Sequence, residues 1–116
     1  MSDSIFTKII RREIPAEIVH EDDLCIAIKD IHPQAPGHFL VIPKKPVERL
    51  GATRDADQAL LGHLLGVARQ VAFQQGLAAG GYRVVINNGP HAGEVVPHLH
   101  LHVLGGARLT DNFGVG

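Results

Sequence analysis

HLHLHVL at 98–104 decides how this chain is read. Taken as a β-strand, it alternates, because successive side chains of a strand point to opposite faces. His98, His100 and His102 then share one face, while Leu99, Leu101 and Val103 point the other way into a core. Same-face neighbours lie about 7 Å apart, so the outer two histidines are separated by about 13 Å. The chain holds eight histidines against four Phe, one Tyr and no Trp. Three of them within five residues is a concentration that asks for a chemical reason.

Three readings of that face compete. A merely solvated face would ordinarily carry Thr, Lys or Glu, not a scarce residue three times over. A metal site is the second reading: a His-x-His pair can hold zinc, but imidazoles spread this far cannot all reach one ion at about 2.1 Å. His38 could add a ligand, yet no spaced Cys or Glu completes a familiar set. The third reading is nucleophilic chemistry. Imidazole has a pKa near ~6.5, so its neutral, attacking form is populated at physiological pH without special activation. Flanking rings can fix the tautomer of the central one, aim it, and handle protons or phosphate oxygens. Just upstream, the loop GPHAGEVVP at 89–97 brings Gly89 and Gly93, and its backbone N–H groups can wrap an anion without help from Lys or Arg. Phosphorus is the electrophile this combination suits, and it favours the third reading.

Outward from the motif, the elements follow from periodicity and turn residues. Residues 4–11 read as a short helix with Ser4 as N-cap and Ile5, Phe6, Ile9 and Ile10 on its apolar side, ended by Pro15. EIVHED at 17–22 and LCIAIKD at 24–30 read as strands joined tightly near Asp22 and Asp23, and HFLVIP at 38–43 as a third strand beyond a Pro-rich loop. A long helix is expected from Ala56 to Gln75, with Asp55 and Gln58 as a capping box and Gly76 as its stop. Leu60, Leu64, Val67, Ala68 and Val71 form its apolar stripe, a core or dimer-interface feature. YRVVINN at 82–88 precedes the glycine loop and the 98–104 strand. Short connections favour antiparallel neighbours, so the fold class is α+β, with the helices packed on one face of a five-stranded antiparallel sheet.

Length and composition bound the rest. The 116 residues suit one domain over 1–116, large enough to bury a core unaided. Net charge is −1 with no basic block, which argues against nucleic acid or a membrane surface as partner. A single cysteine, Cys25, cannot form an internal disulfide, and no leader-like segment opens the chain, so the expected location is cytoplasmic.

The 98–104 segment matches the H-x-H-x-H-x-x signature of the histidine triad superfamily. SIFTKIIRREIPAEIVHEDD at 4–23, DIHPQAPGHFLVIPKK at 30–45 and HVLGG at 102–106 resemble its Hint branch of nucleotide-binding proteins, so the similarity runs from Ile5 to Gly106. The resemblance implies a homodimer whose two sheets join into one of ten strands. It implies hydrolysis of purine nucleoside phosphoramidates, such as adenosine monophosphate joined to an amine, with no metal or organic cofactor. His100 falls on the nucleophile that forms a covalent nucleotidyl-histidine, His98 and His102 on its triad partners, and His38 on a fourth, supporting histidine. Asp30 falls on the carboxylate for the ribose hydroxyls and Asn87 on a polar contact near ribose and phosphate. Gly93 and Val95 fall in the phosphate loop, and Ile5, Phe6, Ile9, Ile28 and Lys29 on the nucleobase pocket. A dinucleoside polyphosphate hydrolase and a nucleotide-binding scaffold with little catalysis are the rival readings.

Two departures from the pattern stand out. Val95 replaces a serine whose hydroxyl would touch the phosphate, which predicts a slower enzyme or a changed leaving-group preference. The tail ARLTDNFGVG lacks a tryptophan found in some relatives. Read without the resemblance, Asp30 is a loop-capping aspartate and Asn87 part of a turn. Cys25 reads as a core residue, since a zinc role would need a histidine that the stretch near Lys45 and Pro46 does not offer. His20, His32 and His91 read as exposed, with His32 and His91 near the pocket rim, and His63 as a surface or interface residue.

Overall fold

The computed structural model describes residues 3–115. Helix α1 (Ile5–Ile10) is followed by strands β1 (Ile18–Glu21), β2 (Cys25–Lys29) and β3 (Gly37–Pro43), helix α2 (Gln58–Gln74), and strands β4 (Tyr82–Val85) and β5 (Leu101–Gly105). The strands form one antiparallel sheet in the order β1-β2-β3-β5-β4. The α+β class and the five strands are those expected. Among the described residues, no helix is long and apolar enough to cross a membrane.

The helices do not share a face of the sheet, contrary to the sequence reading. Cys25, Ala27, Phe39, Val41, Leu101 and Val103 pack with Leu64, Val67, Ala68 and Val71 of α2. Ile26, Ile28, Leu40 and Ile42 pack with Phe6 and Ile9 of α1 on the opposite side. The cause is legible in β2 and β3, whose residues are buried almost without alternation. A strand apolar on both faces needs cover on both.

Local chemistry sets the ends. Ser4 caps α1 by accepting from the Thr7 N–H at 3.1 Å. The helix stops five residues before Pro15, because Arg12 takes a left-handed φ of 63° and the N–H groups of Arg12 and Glu13 close back on Ile9 and Lys8. The same closure ends α2: Gly76 has φ 78°, and the Gly76 and Leu77 N–H groups reach the Phe73 and Ala72 carbonyls. At its start, α2 differs from expectation. Residues 55–57 form a 3-10 turn, and the Asp55–Gln58 capping box is replaced by Asp57, whose carboxylate accepts from the Arg54 N–H at 2.9 Å.

The last strand is shorter than the histidine motif. Its pairing with β3 ends at Val41↔Leu101, and its pairing with β4 ends at Val85↔His102. The extended reading of 82–88 and 98–104 is therefore corrected to 82–85 and 101–105. Residues 98–100 lie outside the ladder and are held by other bonds: the Leu99 N–H reaches the Val47 carbonyl at 2.7 Å. The sheet has two edges of different character. β1 carries an irregular register between Ile18 and His20 and is flanked by ion pairs of Glu21 with Lys44 and Arg12. β4 pairs regularly along its whole length and leaves its other side unpaired, with Tyr82 exposed.

Candidate active site

Alternation survives the shorter strand. Leu99, Leu101 and Val103 enter the α2-side core, and His98, His100 and His102 stand on the α1 side. They do not form a solvated row. His98 is 3% exposed, and the His100 and His102 rings are half-buried with centroids 5.1 Å apart. Phe6 of α1 meets His100 edge-on at 4.9 Å and His98 at 6.0 Å, so the short helix sets the floor beside the rings.

Each histidine has a distinct hydrogen-bond assignment. His98 donates from Nε2 to the Pro43 carbonyl at 2.9 Å, and its Nδ1 accepts from the Ser4 hydroxyl at 2.9 Å and more weakly from Thr7 at 3.3 Å. Both ring nitrogens are thus committed to the protein. Burial lowers its pKa, with the nearby His100 adding to the effect, so His98 stays neutral and anchors the segment.

His100 lies 2.7 Å, through Nδ1, from the carbonyl oxygen of His98. A carbonyl can only accept, so Nδ1 carries the proton and the Nε2 lone pair of the neutral ring stays free. The tautomer is fixed by backbone two residues upstream, not by a flanking imidazole.

His102 and His38 form a short relay. The Gln34 N–H donates to His38 Nδ1 at 3.0 Å, which places the His38 proton on Nε2, and that nitrogen donates to His102 Nδ1 at 2.9 Å. His102 must then carry its own proton on Nε2, a donor on a ring that lines the cleft. Burial lowers the pKa of both, and for His102 the neighbouring His100 and His38 help bring it to about 4. Asp30 stands beside them, with Oδ2 3.4 Å from His38 Nε2, while Oδ1 caps the following loop by accepting from the His32 N–H at 2.9 Å. The two readings of Asp30 are therefore compatible. Asp30, His38 and His102 also bring three potential metal-ligand atoms within 4.8 Å of one another, although their nitrogens are already engaged by Gln34 and by each other.

These rings open onto a cleft of about 410 Å³. Ile5, Phe6, Ile9, Ile28, Lys29, Asp30, Val95, His100 and His102 all line it, so most of the residues singled out from sequence converge here. Four further apolar residues, Ile14, Ile31, Leu40 and Val96, also contribute and were missed, as was the rim position of Pro15 and Ala16. Their signal was hidden because an apolar residue after a helix or in a strand reads equally as core. His32 is at the rim as expected; His91 is exposed elsewhere.

Two expected contacts are not brought to the cleft walls. Asn87 is half-buried beyond the end of β4 and does not line the cleft. Its neighbour Asn88 makes the defined bond, accepting from the Gly51 N–H at 2.6 Å. Gly93 occupies a left-handed turn position, φ 80°, with its N–H turned to the Pro90 carbonyl. The N–H groups of Gly89, Ala92 and Glu94 are likewise used inside the loop. Most of the loop's N–H groups are thus turned inward, while on the cleft side those of Val95 and Val96 have no partner among the described residues.

What shapes the loop is a pair the sequence did not flag. Arg49 Nε and Nη2 each donate to the Glu94 carboxylate at 2.9 Å, and the Gly89 N–H reaches the same group at 3.1 Å. The Arg49 bonds, with that N–H, hold the Glu94 carboxyl well below the usual carboxylate range, at about 2. The bidentate guanidinium offsets the Glu94 charge while tying both ends of the turn together. Residues 45 apart give no local cue to such a pair.

Compared with known protein families, residues 11–109 match the HIT domain. An uncharacterised HIT-like protein of Synechococcus elongatus is 59% identical over 108 residues, covering 93% of this chain and 94% of that one. The purine nucleoside phosphoramidase of Escherichia coli K12 is 45% identical over 107 residues, 92% of this chain and 90% of the relative. Among solved structures, a HIT family hydrolase from Legionella pneumophila superposes with a TM-score of 0.91 at 43% identity, covering 94% of this chain and 97% of that one. One from Clostridium thermocellum gives 0.92 at 40%, with 97% of each chain covered. With the motif, the sheet and these likenesses in agreement, this chain belongs to the HIT domain family.

Proposed function

We propose that the protein is a purine nucleoside phosphoramidase that cleaves the P–N bond of adenosine 5'-monophosphoramidates through a nucleotidyl-His100 intermediate. The observation that carries this reading is the bond from His100 Nδ1 to the His98 carbonyl, which leaves a neutral nucleophile at Nε2 on the wall of an apolar cleft. The likeness to the phosphoramidase of E. coli supports the substrate class.

In this mechanism the base lies among Ile5, Phe6, Ile9 and Ile28, and Asp30 accepts from the ribose hydroxyls. His100 Nε2 attacks phosphorus, the bond from phosphorus to nitrogen breaks, and the departing nitrogen takes one proton from solvent to leave as neutral amine, a proton returned when water later attacks the intermediate. A protonated nitrogen is a good leaving group. His102 serves as hydrogen-bond donor to a phosphoryl oxygen, not as the acid, because its lowered pKa keeps it neutral and its relay ends on backbone. Water then attacks the nucleotidyl-histidine, releasing adenosine monophosphate and restoring the imidazole. No step calls for a metal.

The same reading includes a homodimer formed through β4, supported by its regular, half-exposed edge and by the exposed Leu65 and Phe73 on α2.

The test is release of a fluorescent amine from its adenosine phosphoramidate, without added metal, by wild type and by His100→Ala. Turnover abolished by the substitution supports the reading. Faster turnover of diadenosine polyphosphates than of any phosphoramidate would replace it with the polyphosphate hydrolase.

A further inference from the structure

A second cluster of histidines lies away from the cleft, and it belongs to none of the chemistry above. Asp22, in the turn between β1 and β2, has its Oδ2 atom 2.7 Å from His20 Nε2 of β1 and 2.8 Å from His63 Nε2 of α2. The Cys25 thiol of β2 lies 3.6 Å from the same oxygen. One nitrogen, one oxygen and one sulfur, from His20, Asp22 and Cys25, sit within 4.8 Å of one another. His63 brings a fourth donor from a different element. The carboxylate is preset, since its Oδ1 accepts from the Leu24 and Cys25 N–H groups at 2.8 and 3.0 Å. His20, Asp22 and His63 are each partly open to solvent, so an ion has a way in, while Cys25 is fully buried behind them.

We propose that His20, Asp22, Cys25 and His63 form a binding site for a zinc-class divalent cation that ties helix α2 to the β1–β2 hairpin. The donor set is the mixture such an ion takes: two imidazoles, a carboxylate and a thiolate. Tetrahedral zinc with bonds of about 2.0–2.3 Å keeps its ligand atoms about 3.3–3.8 Å apart. The sulfur–oxygen separation already fits, and the two ring contacts need to open by about half an ångström to admit the ion. On binding, each neutral imidazole moves its proton from Nε2 to Nδ1, and the thiol releases one proton to solvent. Sequence reading looked for Cys25's partner near Lys45 and Pro46; the fold supplies two, five residues upstream and 38 downstream.

The experiment titrates the metal-free full-length protein with Co²⁺ and follows its absorbance. The expected result is one ion per chain with a thiolate-to-cobalt charge-transfer band, displaced by Zn²⁺. His63→Gln should weaken binding by at least about tenfold, and Cys25→Ser should abolish the band. Should the buried Cys25→Ser chain fail to fold, His63→Gln, on the helix surface, still decides. The Asp30–His38–His102 group has no sulfur, so His102→Gln should leave the band intact. A wild-type protein without the band, or a His63→Gln variant that binds as tightly as wild type, overturns the proposal.

Discussion

The two faces of the sheet are built from the same strands and do opposite work. Under α2 the side chains of β2, β3 and β5 make a closed apolar layer in which Val41, Leu64, Val71 and Val103 are fully buried. Under α1 the cover is only six residues long, and what it leaves open is the cleft. The second face carries His98, His38 and His102, which trade hydrogen bonds with backbone and with one another. The difference teaches that a site can be cut into a small domain if one complete face supplies the stability that the other gives up.

Adjacent residues on either face break this comparison most sharply. His100→Ala should lower amine release by about a thousandfold or more while changing unfolding free energy by less than about 1 kcal/mol. Leu101→Ala, one residue on, should cost about 2–5 kcal/mol in chemical denaturation and leave turnover per folded molecule near wild type. A Leu101→Ala protein that is stable but inactive would mean the two faces are not separable.

Acid should strike the histidine face first. His38, His98 and His102 all have pKa values below that of a free histidine, chiefly from burial, so the unfolded chain binds protons more readily than the folded one. Their contribution is complete above the free value of 6.5 and is lost as pH falls toward the folded value of about 4 for His102. Melting temperature should therefore drop across that interval, and His102→Gln should flatten the drop. An unchanged profile in the variant would place the acid sensitivity elsewhere.

The smallest effect belongs to the loop. Val95 is largely exposed at the cleft and offers a backbone N–H but no hydroxyl. Val95→Ser should raise turnover severalfold, up to about tenfold, by adding one hydrogen bond to a charged oxygen. Equal rates for the two proteins would show that the main chain already satisfies that oxygen.

Much of this was legible because it is written in short-range order. The HLHLH alternation places the histidines and leucines on the correct faces, Ser4 and Gly76 mark helix ends, and the unbroken apolar runs of β2 and β3 hold the information that both faces are covered. Long-range pairing was not legible. Nothing near His98 announces Ser4 or the Pro43 carbonyl, nothing near Glu94 announces Arg49, and Asp22 meets His63 across 41 residues. The 89–97 loop shows the same limit: glycine content shows where N–H groups can turn, and not which carbonyls they find.

The unequal edges of the sheet bear on how copies of this chain can add together. An edge strand with free N–H and C=O groups is a template, and a sheet with two such edges could extend without limit into a fibre. Here the β1 end is irregular and fenced by Arg12, Lys44 and Glu21, while the β4 end is regular. In the proposed β4-edge dimer, one growing end per molecule would stop assembly at two, the irregular β1 end closing off further growth.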